Sequence, residues 1–422
     1  MWHVRGGVCE HRALMRAWKD VLVVCPHERD RRAVQAAGLD SRCGVRFAGP
    51  DLDTIDRVDA ASLLAELEAI PADAVVASKD RSALLAAVLA ERRGLPGPAP
   101  AAVVRCQHKP SSRRLQQTAV PEATPRFAEL DGAPPPFPPP FFVKPVVGRL
   151  SQNARRVDSL SALAAIPPEP GYGEGWADIA ALAGFPARAA HGYIAEELLV
   201  GDEVTLEGFV RQGQVTVIGV TDSVKYDGTN SFERFEYPSR LEPDRLAELR
   251  EVAERLLPAV GFDSGFFNVE FVVRAEGPAK IVEVNGRIAS QFAPLVQAVH
   301  GRSTYDVLFA VAAGEDPGWT DEAPEGVAVS YVMRVFEDAF VAGVPDQDNG
   351  VEVLVQPGSR LAVQGANDAQ SYRLAIFYES GETREEVVER CQARARELRR
   401  RFDLRPLPTP GGEPRPPRPA RG

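Results

Sequence analysis

The 422-residue chain has no apolar run approaching the roughly 20 residues that span a bilayer, which argues against a membrane partner. Its first residues, Met1-Trp2-His3-Val4-Arg5-Gly6-Gly7-Val8, hold no apolar core of signal-peptide length. Cysteine is sparse: Cys9, Cys25, Cys43, Cys106 and Cys391 are odd in number, scattered and never in C-x-x-C spacing. That pattern disfavours a disulfide framework or a zinc site and predicts a reducing, cytoplasmic setting. Positive charge is in deficit, and a formal net charge of −10 argues against a nucleic-acid partner while leaving room for a local basic cleft for phosphates. The first strand runs into Cys25-Pro26-His27-Glu28-Arg29 where a nicotinamide-binding turn needs G-x-G-x-x-G. A G-x-x-x-x-G-K-[ST] loop is also missing, which speaks against a P-loop nucleotidase. What remains is an ordinary globular composition, 44% hydrophobic, long enough for two or three packed domains.

Along the chain, residues 1–18 read as a loosely attached extension. Residues 19–108 read as an open parallel αβ domain: strand Val21–Cys25, a charged helix stopping near Gly38, a helix Ala60–Ile70, strand Asp73–Ser78, and a helix Arg81–Arg93 ending at Gly94. The proline-rich stretch Asp131–Pro140 reads as a stiff spacer leading into the strand Phe141–Pro145. Strand Tyr193–Glu197 follows, then a meander from Val204 to Val220 with turns at Gly201-Asp202 and Gln212-Gly213, then a helix Pro243–Leu257. A further αβ segment spans 316–405. Residues 406–422, rich in proline, arginine and glycine, have no apolar pattern and are expected to be a disordered tail without a catalytic role.

The most informative segment runs from Phe267 to Arg287. Two arms of alternating polar and apolar residues flank Glu276-Gly277, which has the chemistry of a tight turn. A turn centred there puts Glu270 opposite Glu283 and Asn268 opposite Asn285, with Val269 and Phe271 sharing the other, buried face with Val284 and Val282. Facing carboxylates with Cβ atoms about 4.5–5.5 Å apart repel, so a bare hairpin should avoid this pairing. A hard divalent cation between them removes the conflict, with Glu270, Glu283 and Asn285 as oxygen ligands. A solvated polar face without a ligand is the competing reading.

Lys144 ends an apolar strand before Gly148-Arg149-Leu150-Ser151, a loop able to surround a phosphate chain with an ammonium and backbone N–H groups. Glu196-Glu197-Leu198-Leu199-Val200-Gly201-Asp202-Glu203 offers an extended backbone for an adenine edge and a carboxylate, Glu203, for ribose hydroxyls. Taken singly, such pieces are more often a solvated lysine and a plain strand and turn.

Their order and spacing resemble the ATP-grasp superfamily over roughly Lys109 to Ala312. The resemblance implies an α/β and α+β protein: an N-terminal open parallel αβ domain at 19–108, a two-lobed ATP-grasp core at 109–315 and a C-terminal α+β module at 316–405. It implies ATP and Mg²⁺ (or Mn²⁺) as cofactors. Lys109 and Lys144 would contact the phosphates with Ser151 in the loop, and Lys144 would also reach toward the adenine. Glu196, Glu197 and Leu199 would line the adenine pocket, Glu203 would bind the ribose, Glu270, Glu283 and Asn285 would hold the metal, and Arg287 would stabilise the transferring phosphoryl group. The loop after Lys144 is poorer in glycine than is usual in that family, and Gly286 stands where the family often has proline or threonine.

The separate C-terminal segment and the run Thr221–Tyr226 with Phe232–Pro238, offering cations for a carboxylate and aromatics for a side chain, resemble carboxylate-amine ligases of the L-amino-acid ligase type. The implied activity is ADP-forming C–N ligation on small-molecule carboxylates and amines, amino acids among them, with a homodimer allowed. The alternatives are a bicarbonate-using carboxylase of the biotin-carboxylase or purine-biosynthesis kind, and a non-catalytic ATP-binding regulatory protein.

Overall fold

The computed structural model describes residues 20–149, 152–166, 171–320, 323–346, 350–364, 367–368 and 371–407. The expected N-terminal extension, Ser151 and nearly all of the expected tail lie outside these residues.

The first unit runs β1 (Asp20–Val24), α1 (Glu28–Ala36), β2 (Gly44–Ala48), α2 (Ala60–Glu68), β3 (Ala74–Val76) and α3 (Asp80–Arg93). Its three strands are parallel in the order β2-β1-β3. Every residue from Val21 to Val24 is buried, as expected for a parallel strand covered on both faces. α1 starts in a reciprocal cap: the His27 side chain accepts from Arg29 N, and the Asp30 carboxylate accepts from His27 N. α3 ends at Gly94, whose φ of 65° closes the helix in the left-handed conformation. The sequence reading lacked β2, a five-residue edge strand with no fully buried residue.

Two further helices, α4 (Pro100–Gln107) and α5 (Lys109–Ala119), were also not expected. Each has proline in its first turn, where the missing N–H costs nothing. The first lobe of the core follows: β4 (Phe127–Glu129), β5 (Phe141–Pro145), β6 (Arg155–Val157), α6 (Tyr172–Ala180) and β7 (Tyr193–Glu197), with antiparallel strand order β4-β7-β5-β6.

The second lobe begins with β8 (Asp202–Arg211), β9 (Gln214–Lys225), β10 (Phe232–Tyr237), α7 (Pro243–Val260), β11 (Gly265–Val273) and β12 (Lys280–Asn285). Gln212 and Gly213 both have positive φ, giving β8 and β9 the tight hairpin turn their sequence predicts. α7 buries Leu249, Val252, Ala253, Leu256, Leu257 and Val260 along one face, about 1.5–3 kcal/mol for each large side chain taken from water. Then come α8 (Ala293–His300), α9 (Thr304–Ala312), β13 (Val327–Val335), β14 (Ala339–Gly343), β15 (Val351–Val353), β16 (Tyr372–Gly381), α10 (Arg384–Arg401) and β17 (Asp403–Pro406).

β13 pairs with β10, so one eight-stranded sheet, ordered β12-β11-β8-β9-β10-β13-β16-β15, continues through the segment after residue 315. The far edge of that sheet is tied back to the first unit, where Arg29 of α1 donates to both oxygens of Glu352 in β15 at 2.9–3.0 Å. β14 and β17 form a separate pair, and Pro406, expected to open the tail, is the last residue of β17, opposite Ala339. Leu404 anchors that strand by packing on the core beneath α10.

Candidate active site

The β11–β12 hairpin has the register that its alternation predicts: Glu270 opposite Glu283 and Asn268 opposite Asn285. One part of that reading is corrected. A bulge after Glu270 sets Phe271 opposite Ile281, so Ile281 takes the buried place expected for Val282. Val282 is left half-buried, and its carbonyl accepts from Lys144 Nζ at 3.1 Å and Arg113 Nη2 at 2.7 Å. The bulge thereby turns one β12 carbonyl toward two cations.

Asn285 Nδ2 donates to Asn268 Oδ1 at 2.8 Å and to Glu270 Oε1 at 3.3 Å. Asn268 Nδ2 in turn donates to the Arg287 carbonyl at 3.0 Å. Glu283 Oε1 lies 3.0 Å from Lys109 Nζ, in the first turn of α5. Burial works against charge on Glu283, but Lys109 and Lys144 outweigh it and hold its pKa below the usual carboxylate value. Glu270 is driven the other way, by burial first and then by the charges of Glu283 and Glu203. Two half-buried carboxylates thus face each other with unequal compensation, beside the Asn285 side-chain amide, and carboxylate and amide oxygens are donors that fit a hard cation. Among the described residues no group of three or more His, Cys, Asp or Glu is placed to hold a metal. The candidate set that the sequence named is two glutamates and the Asn285 amide, which the hairpin brings side by side.

The expected nucleotide residues are only partly free. Glu196 is buried and accepts from Arg113 Nε at 2.7 Å and Nη2 at 3.0 Å, with Lys144 Nζ at 2.9 Å. Burial opposes its ionisation, yet Arg113 and Lys144 bring its pKa down to about 2. Burial lowers the Lys144 pKa, against the pull of Glu196. Glu197 accepts from Arg126 N at 3.1 Å and Nε at 3.0 Å, and its own N–H donates to Arg126 O at 2.9 Å. The expectation of a free adenine-facing backbone therefore narrows to the irregular stretch 198–201, where Leu199 is half-buried. Gly201 is required at its end, because a Cβ there would stand 2.3 Å from Val273 O. Glu203 Oε1 is held by Lys225 Nζ at 2.5 Å, and Ser151 falls outside the described residues.

Arg287 lies past the end of β12, so it is carried by a loop and not by the strand extension the sequence implied. Its Nε and Nη2 donate to the Asp80 carboxylate at 2.5 and 3.3 Å, and Nη1 to Ile288 O at 3.2 Å. Asp80 opens α3 in the first unit, far away in sequence, and no local pattern marks it. Arg113, also missed, stands one helical turn after Lys109, a spacing that places both on one face and could have revealed it. Glu207, a third omission, sits on the site face of β8 opposite Asn268 and accepts from Ala289 N at 3.0 Å. Burial pushes its carboxyl pKa up to about 8.

A cleft of ≈ 210 Å³ adjoins these groups, and its lining includes Glu270, Arg287 and Lys79 together with Phe232, Phe235 and Phe292. The rings of Phe232 and Phe235 lie 5.2 Å apart, those of Phe235 and Phe292 5.0 Å. The aromatic run read from the sequence as substrate-facing thus reaches the cleft through Phe232 and Phe235. Glu236 is instead tied up by Arg234 and Arg384.

Residues 137–294 match the ATP-grasp domain family. Over the whole fold, the chain is similar to an L-amino acid ligase from Bacillus licheniformis, with 19% identity, TM-score 0.71, and 93% of this chain and 100% of that one covered. It is similar also to a phosphoribosylglycinamide synthetase from Anaerococcus prevotii, with 14% identity, TM-score 0.62, and coverage of 92% and 100%. A third similar structure is the biotin carboxylase domain of Hydrogenobacter thermophilus 2-oxoglutarate carboxylase in complex with MgADP, ADP and bicarbonate, with 16% identity, TM-score 0.63, and coverage of 92% and 91%. No curated protein sequence matches the chain significantly. Residues 137–294 thus match an ATP-grasp domain, set within a fold similar to that of the L-amino acid ligase.

Proposed function

We propose that this chain is an ATP- and Mg²⁺-dependent ligase that joins a small carboxylate to an amine, releasing ADP and phosphate. The observation that carries the reading is the opposed pair Glu270 and Glu283, of which Glu270 lines a cleft together with Arg287, with Lys109 on Glu283. The carboxylate oxygen attacks the γ-phosphorus, the bond to the ADP oxygen breaks, and an acyl phosphate forms. The amine then attacks the acyl carbon, phosphate leaves with the C–O bonding pair, and the amine's extra proton passes to solvent.

Lys109 and Lys144 are placed to draw phosphate oxygens into the gap between the lobes. Arg287 offers its guanidinium to the oxygen where charge grows, and such fixed donors supply most of the catalysis in phosphoryl transfer. The stretch 198–201, with Leu199, is the part of the linker able to meet an adenine edge; Glu196 and Glu197 wall it while their carboxylates stay with Arg113 and Arg126. Glu203 reaches a ribose by sharing or releasing Lys225. Glu270, Glu283 and Asn285 would hold the divalent cation, which would supply positive charge against that of the phosphates.

The likeness to an L-amino acid ligase supports amino acids as the substrate class. The bicarbonate complex of the biotin carboxylase domain supports a second reading, in which bicarbonate is the activated carboxylate. ADP release measured over a grid of amino acids, with and without bicarbonate, followed by mass spectrometry of the product, tests both. Amine-dependent release supports ligation and bicarbonate-dependent release the carboxylase. Turnover with neither would leave an ATP-binding protein without ligase activity.

A further inference from the structure

Arg287 is a cation of the cleft wall, beside Glu270, whose own partner comes from the first αβ unit. Burial would lower its pKa, but Asp80, then Glu270 and Glu283, outweigh that and keep the guanidinium charged. Those three carboxylates therefore compete for one half-buried cation, and Asp80 has won it with two hydrogen bonds. The peptide around Arg287 is pinned from the sheet side, its own carbonyl by Asn268 and the Ala289 N–H by Glu207. Asp80 is itself locked. It occupies the first turn of α3, where a negative charge is favoured, and its carbonyl accepts from Gln107 Nε2 at 2.7 Å. Gln107 Oε1 in turn accepts from the buried Trp176 Nε1 at 2.6 Å. A chain of contacts from Trp176 through Gln107 and Asp80 thus ends on the guanidinium.

Resting on the reading of Glu270, Glu283 and Asn285 as metal ligands, we infer that Asp80 is a positioning residue that draws Arg287 away from the two glutamates and so keeps them available to a divalent cation. Without Asp80, the strongest remaining anions near Arg287 are those glutamates. An arginine collapsed onto them would compete with the metal and would also leave its place beside the transferring phosphoryl group. The first αβ unit then contributes to metal affinity at a site it does not itself ligate.

The test is Mn²⁺ binding to the full-length protein in the presence of ADP, followed by electron paramagnetic resonance of free Mn²⁺, for Asp80→Ala, Asp80→Asn, Asp80→Glu, Arg287→Ala and the double variant Asp80→Ala/Arg287→Ala. Asp80→Ala should weaken Mn²⁺ binding by on the order of tenfold, Asp80→Asn by less, and Asp80→Glu should recover part of the loss. In the Arg287→Ala background, Asp80→Ala should change Mn²⁺ affinity by less than about twofold, because the competing guanidinium is gone. Equal weakening in both backgrounds would overturn the inference in favour of a general structural role. Unchanged binding in a folded Asp80→Ala protein would overturn it too, and thermal melting reports whether each variant folds. If the wild-type protein binds Mn²⁺ and ADP but releases no ADP with any substrate, the ligase reading fails while the Asp80 cycle is still decided.

Discussion

Glu283 is met by the Lys109 ammonium at 3.0 Å, while Glu270, directly opposite it, is met by the Asn285 amide at 3.3 Å. The two carboxylates share a site but not an environment: one is compensated by an ammonium, the other is met by a neutral amide. Metal binding then has most to gain at Glu270, where a second positive charge relieves burial and repulsion together.

Glu283→Ala should lower turnover by at least about 100-fold with the fold intact, because the hairpin loses a metal ligand and also a like-charge repulsion. Glu270→Ala should do the same while retaining more nucleotide binding, since Lys109 and Lys144 remain. ADP release at saturating Mg²⁺ is the measurement, and near-wild-type rates would refute the metal assignment.

Lys144→Met should raise the apparent KM for ATP roughly 10- to 150-fold, the loss of a charge-assisted hydrogen bond to phosphate. The same change strips a cation from the buried Glu196, which keeps Arg113, so the melting temperature should also fall. ATP titration and thermal melting separate the two effects, and an unchanged KM would confine Lys144 to holding Glu196 and the Val282 carbonyl.

Arg287→Lys should cut kcat by more than about tenfold, since an ammonium cannot engage Asp80 with one edge and a phosphoryl oxygen with another. ATP binding measured without the second substrate should change little. The reverse pattern, weaker ATP binding at full kcat, would move Arg287 to the nucleotide site.

Glu207 sets a pH dependence. Its folded pKa of about 8 lies above the ordinary value of 4.5, so the folded state holds a proton that the unfolded chain gives up. Stability from this group is present below pH 4.5 and is lost as pH rises through about 8. Glu207→Gln, which stays neutral, should therefore gain at least about 2 °C in melting temperature over wild type at pH 8.5, with little difference at pH 4.5. A constant offset across that range would show that Glu207 is already ionised in the folded protein.

The hairpin register was legible because its polar–apolar alternation leaves one choice of buried face. The bulge after Glu270 was not, since it moves a single residue, Val282, without changing the composition of either arm. The residues that make the lobes' charges work, Arg113, Asp80 and Glu207, act on partners 83, 207 and 82 positions away. Such pairings exist only once the sheets are stacked, and nothing local encodes them. The same holds for Glu196 and Glu197, read as adenine-facing from a local motif but each already engaged by an arginine from outside it.

The bond from Arg29 to Glu352 closes a span of 323 residues, and that from Asp80 to Arg287 a span of 207. A chain emerging from a ribosome cannot close the first until β15 has been made, although the three parallel strands that carry Arg29 are complete by Val76. The first unit can condense early, but both of its clamps on the large sheet are late events. Until Arg287 and Glu352 have been made, Asp80 and Arg29 lack these partners, and nascent chains truncated before Glu352 should keep the sheet's far edge open.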